Sequence, residues 1–278
     1  SLEKAGGTLW YAVPYEGFEA SDHVIYTHAC PNQHLLPLLH WTFPRYGRRG
    51  FLTGSNYIWG WEMNRVARTE IYDAGGEVLG ERYLPIGDTD ADRMIEEIRA
   101  TRPGFILNSL IGASSYAFLH AYERLGREDS YFTAQTCPIL SCNLTECEFG
   151  PLGSASEGLI AAGPYFQNAV GWPTEGQRGF GSSFQASAYA AVRTLATLLS
   201  VTPGAETATL TDLLAGQGGA STAIDPATHH AVLPVLIAQV QEGAFRVLEQ
   251  FDNVVADPYL ARRERRPTAL TPSLRLVR

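Results

Sequence analysis

The feature that most constrains this chain is an alternation, over its first 165 residues, of short apolar runs and amphipathic stretches of helical length. Arg49-Gly50-Phe51-Leu52-Thr53 ends at Gly54 and suits a buried strand. Met63, Val66, Ala67, Ile71 and Ala74 then recur at helical spacing until Gly75-Gly76 stops them. Residues 78–86 read as a strand, and Thr89-Asp90-Ala91-Asp92 has the form of a capping box opening the next helix. Ala91, Met94, Ile95 and Ile98 form that helix's inner face, and Pro103 lies just beyond its end. Phe105-Ile106-Leu107 opens another strand, and Phe118, Ala121, Tyr122 and Leu125 line the helix after it. Residues 138–142 and 159–162 supply two more strands. Such a rhythm implies an α/β chain with a parallel sheet covered on both faces by helices.

The second part has a different texture. Phe184, Ala188, Val192, Leu195 and Leu199 predict one long amphipathic helix, and the Gly- and Ala-rich residues 215–223 an exposed loop. Residues 232–240 and 244–251 flank Gln241-Glu242-Gly243 as a hairpin, and the basic run from Arg262 to Arg266 reads as a solvated terminus. With 278 residues, 45% of them hydrophobic, the chain can bury a sizeable core in one or two domains. A formal net charge of −8 excludes nucleic acid as the main partner and disfavours an anionic membrane surface. No apolar run reaches the roughly 18 residues of a membrane-spanning helix, and the first seven residues lack the basic, apolar character of a leader. Cys30, Cys137, Cys142 and Cys147 do not show the spacing of a structural zinc site; they read as buried free thiols, which leans towards a reducing compartment. No metal or cofactor is expected, and His229-His230 reads as a surface pair.

Ligands of open parallel sheets bind where the strands end and the loops lead into helices. Those tips carry Gly54-Ser55-Asn56-Tyr57-Ile58-Trp59, Ser109-Leu110-Ile111-Gly112, Asn143-Leu144-Thr145-Glu146 and, earlier, Leu9 to Gly17. They are rich in aromatic, hydroxyl and amide groups and poor in cations. A small neutral polar ligand suits them, with rings as walls and a few dipoles fixing orientation. Ordinary packing at the sheet edge is the competing reading of Tyr11, Tyr57 and Trp59. Glu16, Glu146 and Glu148 read as caps or solvated charges, with paired acid–base carboxylates as the alternative. No nucleophile elbow, phosphate loop, dinucleotide fingerprint or zinc-helix motif is present, so no enzyme is expected.

The segment Tyr11-Ala12-Val13-Pro14-Tyr15-Glu16-Gly17-Phe18-Glu19, followed by Val24-Ile25-Tyr26 and Pro31-Asn32-Gln33, resembles the amide-sensing negative regulators of bacterial amidase operons. It is also similar to the substrate-binding components of urea and short-chain amide transporters. Gly54-Ser55-Asn56-Tyr57, Gly163-Pro164-Tyr165-Phe166 and Asp257-Pro258-Tyr259 extend the likeness along most of the chain. The resemblance implies a type I periplasmic-binding-protein fold, two Rossmann-like lobes closing on a small neutral amide or urea without catalysis. It assigns residues 1–29 and 165–231 to an N-lobe and 30–164 and 232–278 to a C-lobe, with hinge crossings near 27–30, 163–167 and 230–235. It places Tyr11, Val13, Pro14, Tyr57, Trp59, Ser109 and Asn143 at the ligand.

Its partner is then either an antiterminator-type protein in the cytoplasm, the compartment the free thiols favour, or an ABC permease reached from the periplasm; a homo-oligomer is possible. Family members carry about a hundred further residues before the equivalent of Leu9, half of one α/β lobe. The expectation is therefore an N-lobe that lacks part of its pocket. Val13 stands where the regulator has threonine, and Asn56 where it has aspartate. The alternatives are a small hydrolase on a flavodoxin-like sheet using Glu16 or Glu146, and a fragment that binds nothing.

Overall fold

The computed structural model describes residues 3–17, 19, 21–169, 171–173, 179–204, 209–215, 217 and 222–261. The basic run 262–266 and part of the loop 215–223 lie outside them. Among the described residues a small parallel pair, β1 (Leu9–Tyr11) and β2 (Val24–Tyr26), stands apart from a seven-stranded sheet. That sheet holds β3 (Arg49–Ser55), β4 (Glu77–Leu84), β5 (Phe105–Ser109), β6 (Ile139–Ser141), β7 (Ile160–Gly163), β8 (Leu233–Gln241) and β9 (Ala244–Val254) in the order β4-β3-β5-β6-β7-β8-β9. The first five are parallel, as the strand–helix rhythm requires, and β8 and β9 are antiparallel. Glu242 and Gly243 both adopt positive φ (54° and 71°), the two-residue turn whose twist matches a β8–β9 hairpin.

The helices are α1 (Leu35–Tyr46), α2 (Ile58–Asp73), α3 (Asp92–Thr101), α4 (Gly112–Glu128), the single turn α5 (Phe149–Leu152), α6 (Ser183–Val201) and α7 (Leu210–Ala215). Strand residues alternate between two cores. Phe51, Ile106 and Ile139 pack with α3 and α4, whereas Leu52, Leu107 and Leu140 pack with α1 and α2. Burial on both faces is why these strands read as unbroken apolar runs. A third core joins Ile25 and Ala29 to Tyr165, Ala186, Ala190, Ile224 and Ala231.

Four local expectations are corrected. The segment 89–92 is not a capping box: α3 is capped by Ala91 without a side-chain bond, and Asp88 and Asp90 instead accept from the amides of Asp90 and Asp92. Helix α6 buries Ser183, Ala186, Ser187, Ala190, Ala191, Thr194 and Leu198, a face one residue away from the predicted one. His230 is buried, stacked on Tyr26 with ring centroids 4.3 Å apart, rather than half of a surface pair. Cys30, Cys137 and Cys142 are buried free thiols as expected, but Cys147 is exposed.

Candidate functional site

The carboxyl ends of β3, β5 and β6 are tied to one another by their own polar residues. The Ser55 hydroxyl accepts from the amide of Ile111, which opens α4, at 3.1 Å. The Asn143 side-chain amide donates to the Leu110 carbonyl at 3.1 Å, and its carbonyl oxygen accepts from the Ser141 hydroxyl at 3.0 Å. Gly54 pairs in register with Ser109, so the β3 and β5 tips end level. Gly60 lets α2 start directly on the strand: a Cβ there would lie 2.2 Å from the Ser55 carbonyl oxygen. These bonds fix a flat row of tips with Tyr57 at one end, where it caps α2 with extended backbone.

The segment after β1 folds onto this row. Gly17 has φ +138°, and a Cβ on it would lie 2.8 Å from Glu62 Cγ on α2, so glycine is needed for the approach. The Tyr15 amide donates to the Ala29 carbonyl, and the Thr27 amide to the Tyr11 carbonyl. Tyr11, half-buried, donates its hydroxyl to Glu16 Oε2 at 3.3 Å and packs edge-on against Tyr26 at 5.8 Å. Burial and then the charge of Glu16 push the Tyr57 phenol up to about 12, and the same two causes raise Tyr11. Glu16 thus acts electrostatically on both tyrosines and touches Tyr11. Burial, with Glu16 adding to it, also raises the Glu19 carboxyl.

The predicted residues divide accordingly. Tyr11 and Tyr57 both feel the charge of Glu16; Pro14, three residues after Tyr11, is buried, and Val13 is exposed at 40%. Ser109 is buried at the end of β5, and Asn143 is half-buried and occupied in bracing the loops. Trp59 is 3% exposed within the α1–α2 core and edge-on to His34 at 5.9 Å. Asn56 accepts from the Trp61 indole at 3.0 Å. Glu146 and Glu148 do not pair with Glu16. Glu148 accepts from the Thr145 amide and hydroxyl, and Glu146 accepts from the Gln167 amide.

Sequence reasoning missed the His28–Ser183 contact, Nε2 to Oγ at 3.1 Å, which fastens the start of α6 to the segment after β2. The partners are 155 residues apart, and neither lies in a motif that would signal the other. Among the described residues no group of three or more His, Cys, Asp or Glu is placed to hold a metal ion, and no helix is long and apolar enough to cross a membrane. A cavity of about 700 Å³ lies away from the tips, lined by residues such as His40, Phe43, Asp73 and Asp257 from the α1 and α2 side and the segment after β9. It shares no residue with the row of tips.

The model of the periplasmic binding protein domain family matches residues 1–265. An ABC transporter substrate-binding protein from Sphaerobacter thermophilus superposes with a TM-score of 0.74 at 17% identity, over 91% of this chain and 76% of that one. A solute binding protein of an ABC transporter from Rhodopseudomonas palustris HaA2, in complex with p-hydroxybenzoic acid, gives 0.73 at 17% identity over 91% and 74%. The leucine-, isoleucine-, valine-, threonine- and alanine-binding protein from Brucella ovis, in a closed conformation, gives 0.71 at 15% identity over 87% and 68%. At these identities the likeness is one of fold.

Proposed function

Since the chain belongs to the periplasmic binding protein family, we propose that it is a non-catalytic receptor for a small solute, held at the strand tips and passed to an ABC permease. Its fold is the type I arrangement expected from the sequence. Two of the structural neighbours named above are binding proteins of ABC transporters, which favours the periplasmic side. The cytoplasmic regulator, which rested on the sequence resemblance with free thiols tilting the compartment, has no such support and is set aside. Within this reading residues 1–29 and 165–231 form one lobe and 30–164 and 232–278 the other, with crossings near 27–30, 163–167 and 230–235. The third core, drawn almost wholly from the first set, and the two cores of the large sheet, drawn mostly from the second, support that division.

The ligand we favour is a small neutral amide or urea. The observation that carries this is the grouping of Tyr11, Glu16 and Tyr57: two rings and hydrogen-bond acceptors with no cation among them. Pro14, Val13, Ser109 and Asn143 are assigned to the rim, and Trp59 supports it from below. Titration calorimetry with acetamide, butyramide and urea tests the reading. Saturable binding without product, weakened about tenfold or more in Tyr57→Ala, is expected. Absence of heat with all of them, or binding indifferent to Tyr57→Ala, contradicts it.

A further inference from the structure

We propose that Glu16 sets the sign of the ligand: its carboxylate receives the N–H donors of an amide or urea and turns away a solute that presents a carboxylate there. This rests on the strand-tip site proposed above and adds to it a residue that decides between ligand classes. A carboxylate has about four lone-pair positions, and the Tyr11 hydroxyl at 3.3 Å is the hydrogen bond Glu16 makes among the described residues. The remaining acceptor capacity belongs to a half-exposed group at the site. Among the described residues the arginines on the elements that follow the β3 tip meet other carboxylates: Arg65 pairs with Glu62, Arg68 with Glu81 and Arg82 with Glu97. Its charge is felt by the phenols on both sides, Tyr11 and Tyr57, and by a second carboxyl, Glu19.

One opposing effect must be weighed. The N-termini of α2 and α4 begin at the tips, and a helix N-terminus attracts anions with about half a positive charge that falls off within the first turn. At both ends the capping residue's amide is already engaged, Ile111 by the Ser55 hydroxyl and Tyr57 by the Ser55 carbonyl. A carboxylate at Glu16 carries a whole charge against the half charge of either helix end. A solute carrying N–H groups gains a hydrogen bond to a charged acceptor, whereas its carboxylate counterpart meets like charge.

Propionamide and propionate separate these outcomes because they share size and shape and differ in charge and donors at one end. By calorimetry the parent protein is expected to favour propionamide by about tenfold or more, the size of one hydrogen bond to a charged group. Glu16→Gln keeps the side chain's shape, weakens propionamide and urea, and brings the propionamide-to-propionate ratio close to one. A parent that holds propionate as well as propionamide overturns the proposal. So does a Glu16→Gln protein with an unchanged ratio and an unchanged thermal melt. If that happens while Tyr57→Ala still weakens binding, only the Glu16 assignment falls. Binding unaffected by Tyr57→Ala, or no binding of any of these solutes, removes the strand-tip site itself.

Discussion

His34 is fully buried at the start of α1, with Nδ1 accepting from the Leu35 amide at 2.6 Å. His28 is buried against Ser183, and burial pushes both imidazoles down from 6.5 to about 3. The unfolded chain thus takes up protons near pH 6.5 that the folded chain refuses until about pH 3. Stability is complete above pH 6.5 and falls as pH drops through that window, by up to about 1.4 kcal/mol per pH unit for each histidine. Urea midpoints measured from pH 7 to pH 4 should decline steeply, and less steeply in His34→Gln; equal slopes would contradict the assignment. At Gly17, alanine must adopt a positive φ and displace Glu62. Gly17→Ala should cost about 1–2 kcal/mol in chemical denaturation and weaken solute binding by lifting the segment off α2. Tyr11 and Tyr57 stood out as site candidates because both sit at strand ends. Trp59 carried the same signal yet faces the core, since a position two residues into a helix is turned inwards or outwards by packing that the sequence does not display.

Helix α6 shows how an element can be foreseen and its orientation missed. The apolar residues Val192 and Leu199 suggested a buried stripe, but they are 67% and 45% exposed. The face that packs is small and polar. Ser187 donates to the Thr27 carbonyl at 2.8 Å, Ser183 meets His28, and Ala186 and Ala190 allow close approach to the segment after β2. One residue of offset turns a helix by about 100°, enough to exchange the two faces. Ala190→Leu should therefore destabilise by about 1–3 kcal/mol through overpacking, whereas Val192→Ser should stay within about 0.5 kcal/mol. Thermal melts of the two variants decide between the faces. The strands of the large sheet were legible by contrast, because burial on both sides leaves no choice of face.

At the scale of the molecule, the short motifs that first drew attention prove to be places where distant parts of the chain meet. The Asn32 side-chain carbonyl accepts from the Asp257 amide at 2.8 Å, so Pro31-Asn32-Gln33 and Asp257-Pro258-Tyr259 form one contact. Phe166, from the motif after β7, packs tilted against Phe245 with ring centroids 4.3 Å apart. The motifs could be recognised in the sequence, but their pairing could not, for more than 200 residues separate the first two. Gln33 is wholly buried and donates to the carbonyls of Ala231 and Val254 at 2.9 and 2.8 Å while accepting from the Cys30 amide at 3.2 Å. Gln33→Leu should cost about 1–3 kcal/mol by leaving those groups unpaired, and a denaturation midpoint equal to the parent's would contradict that. Three passages of the chain are thereby pinned within one amide's reach. Sliding any one of them past the others breaks at least one of these hydrogen bonds. Passages already fixed to one another at Gln33 forfeit none of their relative freedom again when a solute is captured, so the entropy lost on capture is drawn from the rest of the chain.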